Sequence, residues 1–137
     1  DVCIIHNPDW NRGMGSSIKA GLNWIISHKN PDAVIILVCD QPLLSADVIN
    51  QLIDTHNTSG KAVIASEYSG VTGVPALFHR SYFNKLAGLS DEAGARKLIA
   101  GNPEVAFVSF PGGEIDLDTI DDYEAFIRMG GTPSEGQ

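Results

Sequence analysis

Asp40 stands directly after an uninterrupted apolar run, Ala33 to Cys39, and before Gln41-Pro42, which stops a strand and sets a turn. In open α/β sheets ligands gather at the carboxyl ends of strands, so a carboxylate here faces the expected crevice. An Asp that merely accepts backbone hydrogen bonds in the turn is an equal alternative. Further on, Glu114, Asp116 and Asp118 alternate with Ile115 and Leu117, and in extended chain residues two apart share a face. Three acids on one face repel unless solvent or a divalent cation intervenes, and Mg2+ typically takes one or two carboxylates plus substrate phosphate oxygens. The bland counterpart is an edge strand that uses charge against sheet association. Convergence of Asp40 with this segment would favour a phosphate-bridging magnesium site.

Other segments carry weaker signals. Residues 11–17, NRGMGSS, form a glycine turn into a helix N-terminus, where free N–H groups and the helix dipole favour an anion. The string lacks the lysine of a Walker motif and the three-glycine spacing of a dinucleotide fingerprint, and a turn without ligand is the commoner outcome. Gly70 and Gly73, before Val74-Pro75, would let backbone approach a ligand or would simply close a tight loop. Arg96, in Asp91-Glu92-Ala93-Gly94-Ala95-Arg96, has the planar fork that grips phosphate, although a local salt bridge to Asp91 or Glu92 is favoured on spacing alone. His6, His28, His56 and His79 are isolated from metal-ligand spacings, and Trp10 and Trp24 read as packing anchors.

The elements that must position these residues follow from the hydrophobic pattern. Strand-like runs at 2–6, 34–39, 61–66, 74–79 and 105–110 alternate with helical patterns, the sequence form of an α/β domain whose strands are mostly parallel. The all-apolar run VIILVC is the candidate central strand. One helix starts at Ser16 or Ser17 and buries Ile18, Leu22, Ile25 and Ile26. Another follows Ser45, carries Val48, Ile49, Leu52 and Ile53, and ends near Gly60. A third follows Asp91 with Gly101 as its stop, and a fourth follows Thr119, where Thr-x-x-Asp resembles a capping box.

Composition narrows the classes. The chain has 137 residues, with 9 Lys+Arg against 17 Asp+Glu, a net charge of −8 and 43% hydrophobic residues, consistent with one domain. The longest apolar run has 7 residues, far below the roughly 20 of a membrane-spanning helix. The acidic charge and scattered basic residues speak against a nucleic-acid or anionic-membrane partner. Cys3 and Cys39 lie among β-formers, which suits buried thiols in a reducing compartment, and the N-terminal residues lack the features of a secretory signal, so cytoplasm is expected.

Taken in order, NPDW-N-GMGSSI-AG, ILVCDQP, G-TG-PALF, DEAGAR and DLDT-DDY resemble the MobA-like nucleotidyltransferases, in particular the MocA branch of molybdenum cofactor cytidylyltransferases, over about residues 7–127. The resemblance implies a Rossmann-like three-layer α/β sandwich of the nucleotide-diphospho-sugar transferase kind, with residues 1–129 as the C-terminal portion of that domain and 130–137 as a flexible tail. It implies transfer of a nucleotidyl group from CTP or GTP to a phosphorylated, molybdopterin-type acceptor, with release of pyrophosphate, and a molybdoenzyme as the recipient of the product. Asp40 matches the family's magnesium-binding acid, and Asp116 and Asp118 its second metal-side contact. Gln41 and Pro42 belong to the same motif, Gly73 and Pro75 match the pocket wall, and Gly94 and Arg96 match the element near the acceptor. Gly13, Gly15 and Ser16 fall in the family's glycine turn and are expected to bind substrate.

Two departures stand out. Ile120 occupies a place where the family usually has Pro, and the family's N-terminal LAAGxSxRMGxxK segment, with its strand and helix, is not in this sequence. The chain is therefore expected to lack part of its nucleotide site and a central strand, and to be inactive alone. A non-catalytic molybdenum-cofactor binding or maturation protein, and a sugar-phosphate nucleotidyltransferase, are the competing functions.

Overall fold

A computed structural model describes residues 2–132. In chain order the elements are α1 (Met14–Lys29), β1 (Ala33–Ile36), α2 (Ala46–Ser59), β2 (Val63–Tyr68), β3 (Val71–His79), α3 (Phe83–Ala87), a 3-10 turn (Ala95–Leu98), β4 (Val105–Ser109) and α4 (Ile120–Arg128). The strands form one sheet in the order β1-β3-β2-β4.

Strand alternation builds three layers. Val63, Ala65, Ala76 and Phe78 point to one face, where they meet Leu22, Leu86 and Ile99 from α1, α3 and the segment after the 3-10 turn. Ile64 and Leu77 point to the other face and pack with Leu52 of α2 and Val108 of β4. Neighbours in sequence thus feed opposite cores, as the two-residue period of a pleated strand requires. The expected α/β sandwich is present.

The strand pairing corrects the expectation of a mostly parallel sheet. β2 and β4 are parallel, but β1 with β3 and β2 with β3 are antiparallel. The cause is local: Ser69 and Gly70 both have positive φ, the geometry of a two-residue hairpin turn that folds β3 back along β2. Of the run VIILVC only Val34–Ile36 are strand, and they lie in β1, an edge strand of this sheet rather than a central one. That strand is half-buried, with Leu37 beyond its end 49% exposed. An apolar cleft of about 360 Å³ runs between this edge and α1, lined by Ile18, Leu22, Ile25, Val34 and Ile36 among others.

Residues 2–6 form no strand, and Val2 and Ile4 are almost wholly exposed because no described strand lies beside them. Cys3 and Cys39 are likewise exposed rather than buried, and Trp10 is 71% exposed instead of anchoring a core. Trp24 stacks on His28 one helical turn on. α1 begins at Met14, ahead of the expected serine, and Ile26 stays exposed while Leu22 is buried.

The helix expected after Asp91 shrinks to the 3-10 turn, and α3 appears instead just after β3. α2 ends as read, on Gly60 at φ 67°, and Ser45 occupies its N-cap position without a side-chain hydrogen bond. α4 opens with the expected capping box: the Asp122 N–H donates to Thr119 Oγ1 and the Thr119 N–H to Asp122 Oδ2. Of the tail, Gly130 to Thr132 are described, and residues 133–137 lie outside the described residues. Among the described residues no helix is long and apolar enough to cross a membrane.

Candidate active site

Asp40 and the acidic segment come together at one end of the sheet. Past β1 the chain turns, and the Asp40 carbonyl accepts the Leu117 N–H at 2.9 Å, which stitches the strand-end loop to residues 115–118. Along that segment Ile115 and Leu117 are half-buried while Glu114, Asp116 and Asp118 are exposed, so the alternation read from sequence survives outside any strand.

Gln41 ties a third piece to these two. Its Nε2 donates to the Gly113 carbonyl at 2.8 Å and to the Val74 carbonyl at 3.3 Å. Val74 and Pro75 lie in an irregularity of β3, where Ala65 faces Ala76 but Ser66 already faces Gly73. Such bulges break the ladder and re-aim backbone groups beside functional sites. Here side chains satisfy the freed carbonyls: Ser66 Oγ donates to Pro75 O at 2.6 Å, and Tyr68 Oη donates to Val74 O at 3.2 Å. Ser66 is fully buried for that reason. Pro42 lies half-buried in the following turn, closed by the Leu44 N–H on the Gln41 carbonyl.

Tyr68 is the residue that sequence reasoning missed. Its ring meets Phe110 edge-on at 5.9 Å between centroids, and a Cβ on Gly73 or Gly113 would strike it, at 2.9 Å from Oη and 2.5 Å from Cδ1 respectively. Gly73 therefore makes room for an aromatic wall. The sequence signal was a tyrosine at the strand end just before the Ser69-Gly70 turn, which reads as ordinary strand composition unless the hairpin is known.

The charges of this region bear on one another. The Asp116 carboxyl is raised from its ordinary value, first by partial desolvation and then by the negative charges of Asp40 and Asp118. Burial raises the Tyr68 phenol, opposed by its hydrogen-bonding contact with Gln41, and the charges of Asp116, Arg96 and Asp40 all reach it. Asp40, Asp116, Tyr68, Gln41 and Arg96 thus share one electrostatic neighbourhood. Asp40 Oδ1 and Gln41 Oε1 are buried there without a hydrogen-bond partner, an arrangement that a bound group would complete.

Among the described residues no three His, Cys, Asp or Glu side chains form a ready metal cage. The set Asp40, Asp116 and Asp118 is therefore not a preformed three-acid ligand shell, although the charges of Asp40 and Asp118 both bear on Asp116. An orphaned carboxylate oxygen beside a crowded second acid still fits a hard cation that takes one or two carboxylates and completes its shell with phosphate oxygens and water.

Arg96 makes no salt bridge among the described residues. Of the two partners favoured from spacing, Asp91 is held instead by Arg12 at 2.6 Å and by Lys19, and Glu92 makes no salt bridge among the described residues. The glycine turn is also used differently from expectation. The N–H groups of Gly15 and Ser16 donate to the Asp91 carbonyl at 2.8 and 3.3 Å, and a Cβ on Gly13 or Gly15 would fall 2.4 Å from Asp91 O or 2.1 Å from Ser90 O. Ser16 Oγ, at 2.9 Å from the Asn7 Nδ2 donor, can donate to the Asp9 or Gly13 carbonyl. These donors face a loop of the same chain, so Gly13, Gly15 and Ser16 seat residues 90–94 and do not present a free anion cradle. Gly94 completes that seat, since a Cβ there would lie 3.1 Å from Met14 Sδ.

The profile of the MobA-like NTP transferase domain matches residues 1–106. The chain belongs to this family. Among relatives of this MobA-like chain, the purine catabolism protein PucB of Bacillus subtilis is 29% identical over 124 residues, covering 88% of the chain and 58% of PucB. Nicotine blue oxidoreductase of Paenarthrobacter nicotinovorans is 26% identical over 135 residues, covering 92% of the chain and 63% of that protein. The crystal structure of Rv0371C from Mycobacterium tuberculosis in complex with manganese superposes with a TM-score of 0.66 at 25% identity, over 82% of this chain and 60% of that one. The MobA-like chain thus spans less than two thirds of the length of each of these relatives.

Proposed function

We propose that the intact protein is a divalent-metal-dependent nucleotidyltransferase that moves a nucleotidyl group, CMP from CTP in the reading the MocA resemblance supports, onto a phosphorylated acceptor of the molybdopterin type. In that reaction an acceptor phosphate oxygen attacks the α-phosphorus of the triphosphate. The bond from α-phosphorus to the bridging oxygen breaks, and pyrophosphate leaves. No nucleophilic side chain is needed, so the protein's task is positioning and neutralisation of charge.

In this reading Asp40 and Asp116 hold the cation, Mg2+ by the chemistry of the donors, and Asp118 adds negative charge beside it. A bound cation would supply charge neutralisation at the phosphates. Gln41 holds the strand-end loop against the Val74 and Gly113 carbonyls, and Gly73 and Pro75 shape the wall carried by Tyr68. Arg96, unpaired by any acid among the described residues, binds the acceptor phosphate, and Gly94 lies in the segment that leads to it. Gly13, Gly15 and Ser16 contribute through the loop they seat.

The observation that carries the reading is the buried, unpartnered Asp40 Oδ1 next to the elevated Asp116 carboxyl. Its test is Asp40→Asn in the full-length protein. Transfer of radiolabel from α-labelled CTP should fall by about 100-fold or more, Mn2+ binding followed by electron paramagnetic resonance should weaken, and the unfolding midpoint should not fall. Wild-type transfer in this variant would refute the assignment.

A further inference from the structure

Arg96 owes its place to residues that never touch the acidic site. The segment from Leu89 to Gly94 has little regular structure of its own, yet it is fastened to the first turns of α1 at several points. The Asp91 carbonyl takes the N–H groups of Gly15 and Ser16, and its carboxylate takes both Arg12 and Lys19. Lys19 Nζ also donates to the Leu89 carbonyl at 3.1 Å. Gly13 and Gly15 lack the Cβ that would push the loop away, and Gly94 rests on Met14. Immediately beyond, Ala95 is buried and Arg96 is exposed, with Ile99 buried one turn later. The chain is thus pinned on both sides of Arg96, by a polar clamp before it and by apolar anchors at Ala95 and Ile99.

Two features set Asp91 apart from an ordinary surface ion pair. Its side chain and that of Lys19 are only 23% and 27% exposed, and one residue supplies both the carbonyl that caps a helix start and the carboxylate that takes two cations. Exposed single pairs contribute little, whereas a shared acid in a fixed frame orders everything attached to it. With Asp91 taken by Arg12 and Lys19, Arg96 has no salt bridge among the described residues, and its charge reaches Tyr68.

We propose that Asp91 is a positioning residue: by locking the 89–94 loop onto α1 and occupying Arg12 and Lys19, it keeps Arg96 free and aligned with the Tyr68–Asp116 site. This rests on the reading that Arg96 binds a phosphate group of the acceptor. Asp91 then tunes the affinity for that phosphate without touching it.

The test uses the full-length protein with inorganic phosphate as probe. Affinity is read from the Arg96 Nε–Hε resonance for variants that retain Arg96, and from calorimetry for Arg96→Ala. Amide hydrogen exchange is read over residues 92–97. Asp91→Asn should speed exchange in that segment and weaken phosphate binding by about three- to tenfold, the size of coupling between residues of one network, and Asp91→Glu should restore part of both. Arg12→Gln and Lys19→Gln each remove one arm of the clamp and should show smaller changes in the same direction, which keeps the idea testable if Asp91→Asn fails to fold. Should Arg96→Ala leave phosphate binding unchanged, the acceptor role of Arg96 falls, and this inference with it. Should Arg96→Ala abolish binding while the clamp variants leave it at wild-type strength, the role of Arg96 stands and the positioning role of Asp91 is overturned, even where exchange quickens.

Discussion

Replacing Gly15 by Ala separates the two uses of a glycine turn at a helix start. A Cβ built there lies 2.1 Å from the Ser90 carbonyl oxygen, 2.8 Å from that of Ala93 and 3.1 Å from that of Asp91. Restoring ordinary contact requires the loop to retreat by about 1 Å, which carries the Asp91 carbonyl beyond hydrogen-bond range of the Gly15 N–H, now at 2.8 Å. Overpacking of this kind costs about 1–3 kcal/mol, and a loop that lifts away instead loses two backbone hydrogen bonds at about 1 kcal/mol each. Alanine returns at most about 1 kcal/mol of helix propensity.

Gly21, on the same helix, has nothing within 4 Å of its would-be Cβ. Gly21→Ala should therefore gain up to about 1 kcal/mol. Because the propensity gain is common to both, the two variants should differ by about 1–3 kcal/mol in urea unfolding carried out without nucleotide or metal. If Gly15→Ala matches Gly21→Ala in stability and only nucleotide affinity falls, the glycine is kept clear for a phosphate and the loop-seating argument is wrong.

Two further outcomes follow from the acidic end of the sheet. Tyr68→Phe removes the hydroxyl from Val74 O and leaves that carbonyl only the longer Gln41 bond, so chemical denaturation should show a loss of about 1 kcal/mol; an unchanged midpoint would mean that the hydroxyl contributes nothing to the bulge. Asp116 has a folded-state pKa above its unfolded value, so its charge destabilises the metal-free protein above that raised pKa, and the penalty disappears as pH falls through it. Asp116→Asn should then melt higher than wild type at neutral pH, converge with it in acid, and bind Mn2+ more weakly; a lower melting temperature at neutral pH would refute the crowding of acids.

Much of the fold was legible because it is written in short-range pattern. The alternation of Val63-Ile64-Ala65 and Ala76-Leu77-Phe78 fixes which side chains feed which core, and the Thr119–Asp122 pair and Gly60 mark helix ends by chemistry confined to a few residues. Asp40 and the alternating acids were visible for the same reason, since a turn after an apolar strand and a two-residue period are local facts. Hydrophobicity alone did not reveal that β1 is an edge, because a strand half-covered along its length and bordered by an apolar cleft has the same composition as a central one.

Tertiary structure decided what depends on partners distant in the chain. Strand direction was set by a two-residue turn, and the burial of Tyr68 by glycines 5 and 45 positions away, Gly73 and Gly113. The fate of Asp91 shows the point most directly. Sequence spacing offered it, or Glu92, to Arg96, whereas the folded chain brings Arg12 and Lys19 to Asp91 across more than seventy residues. A charge pairs with whatever the backbone places beside it, and among the described residues Arg96, to which we assign the acceptor phosphate, is left without a salt bridge.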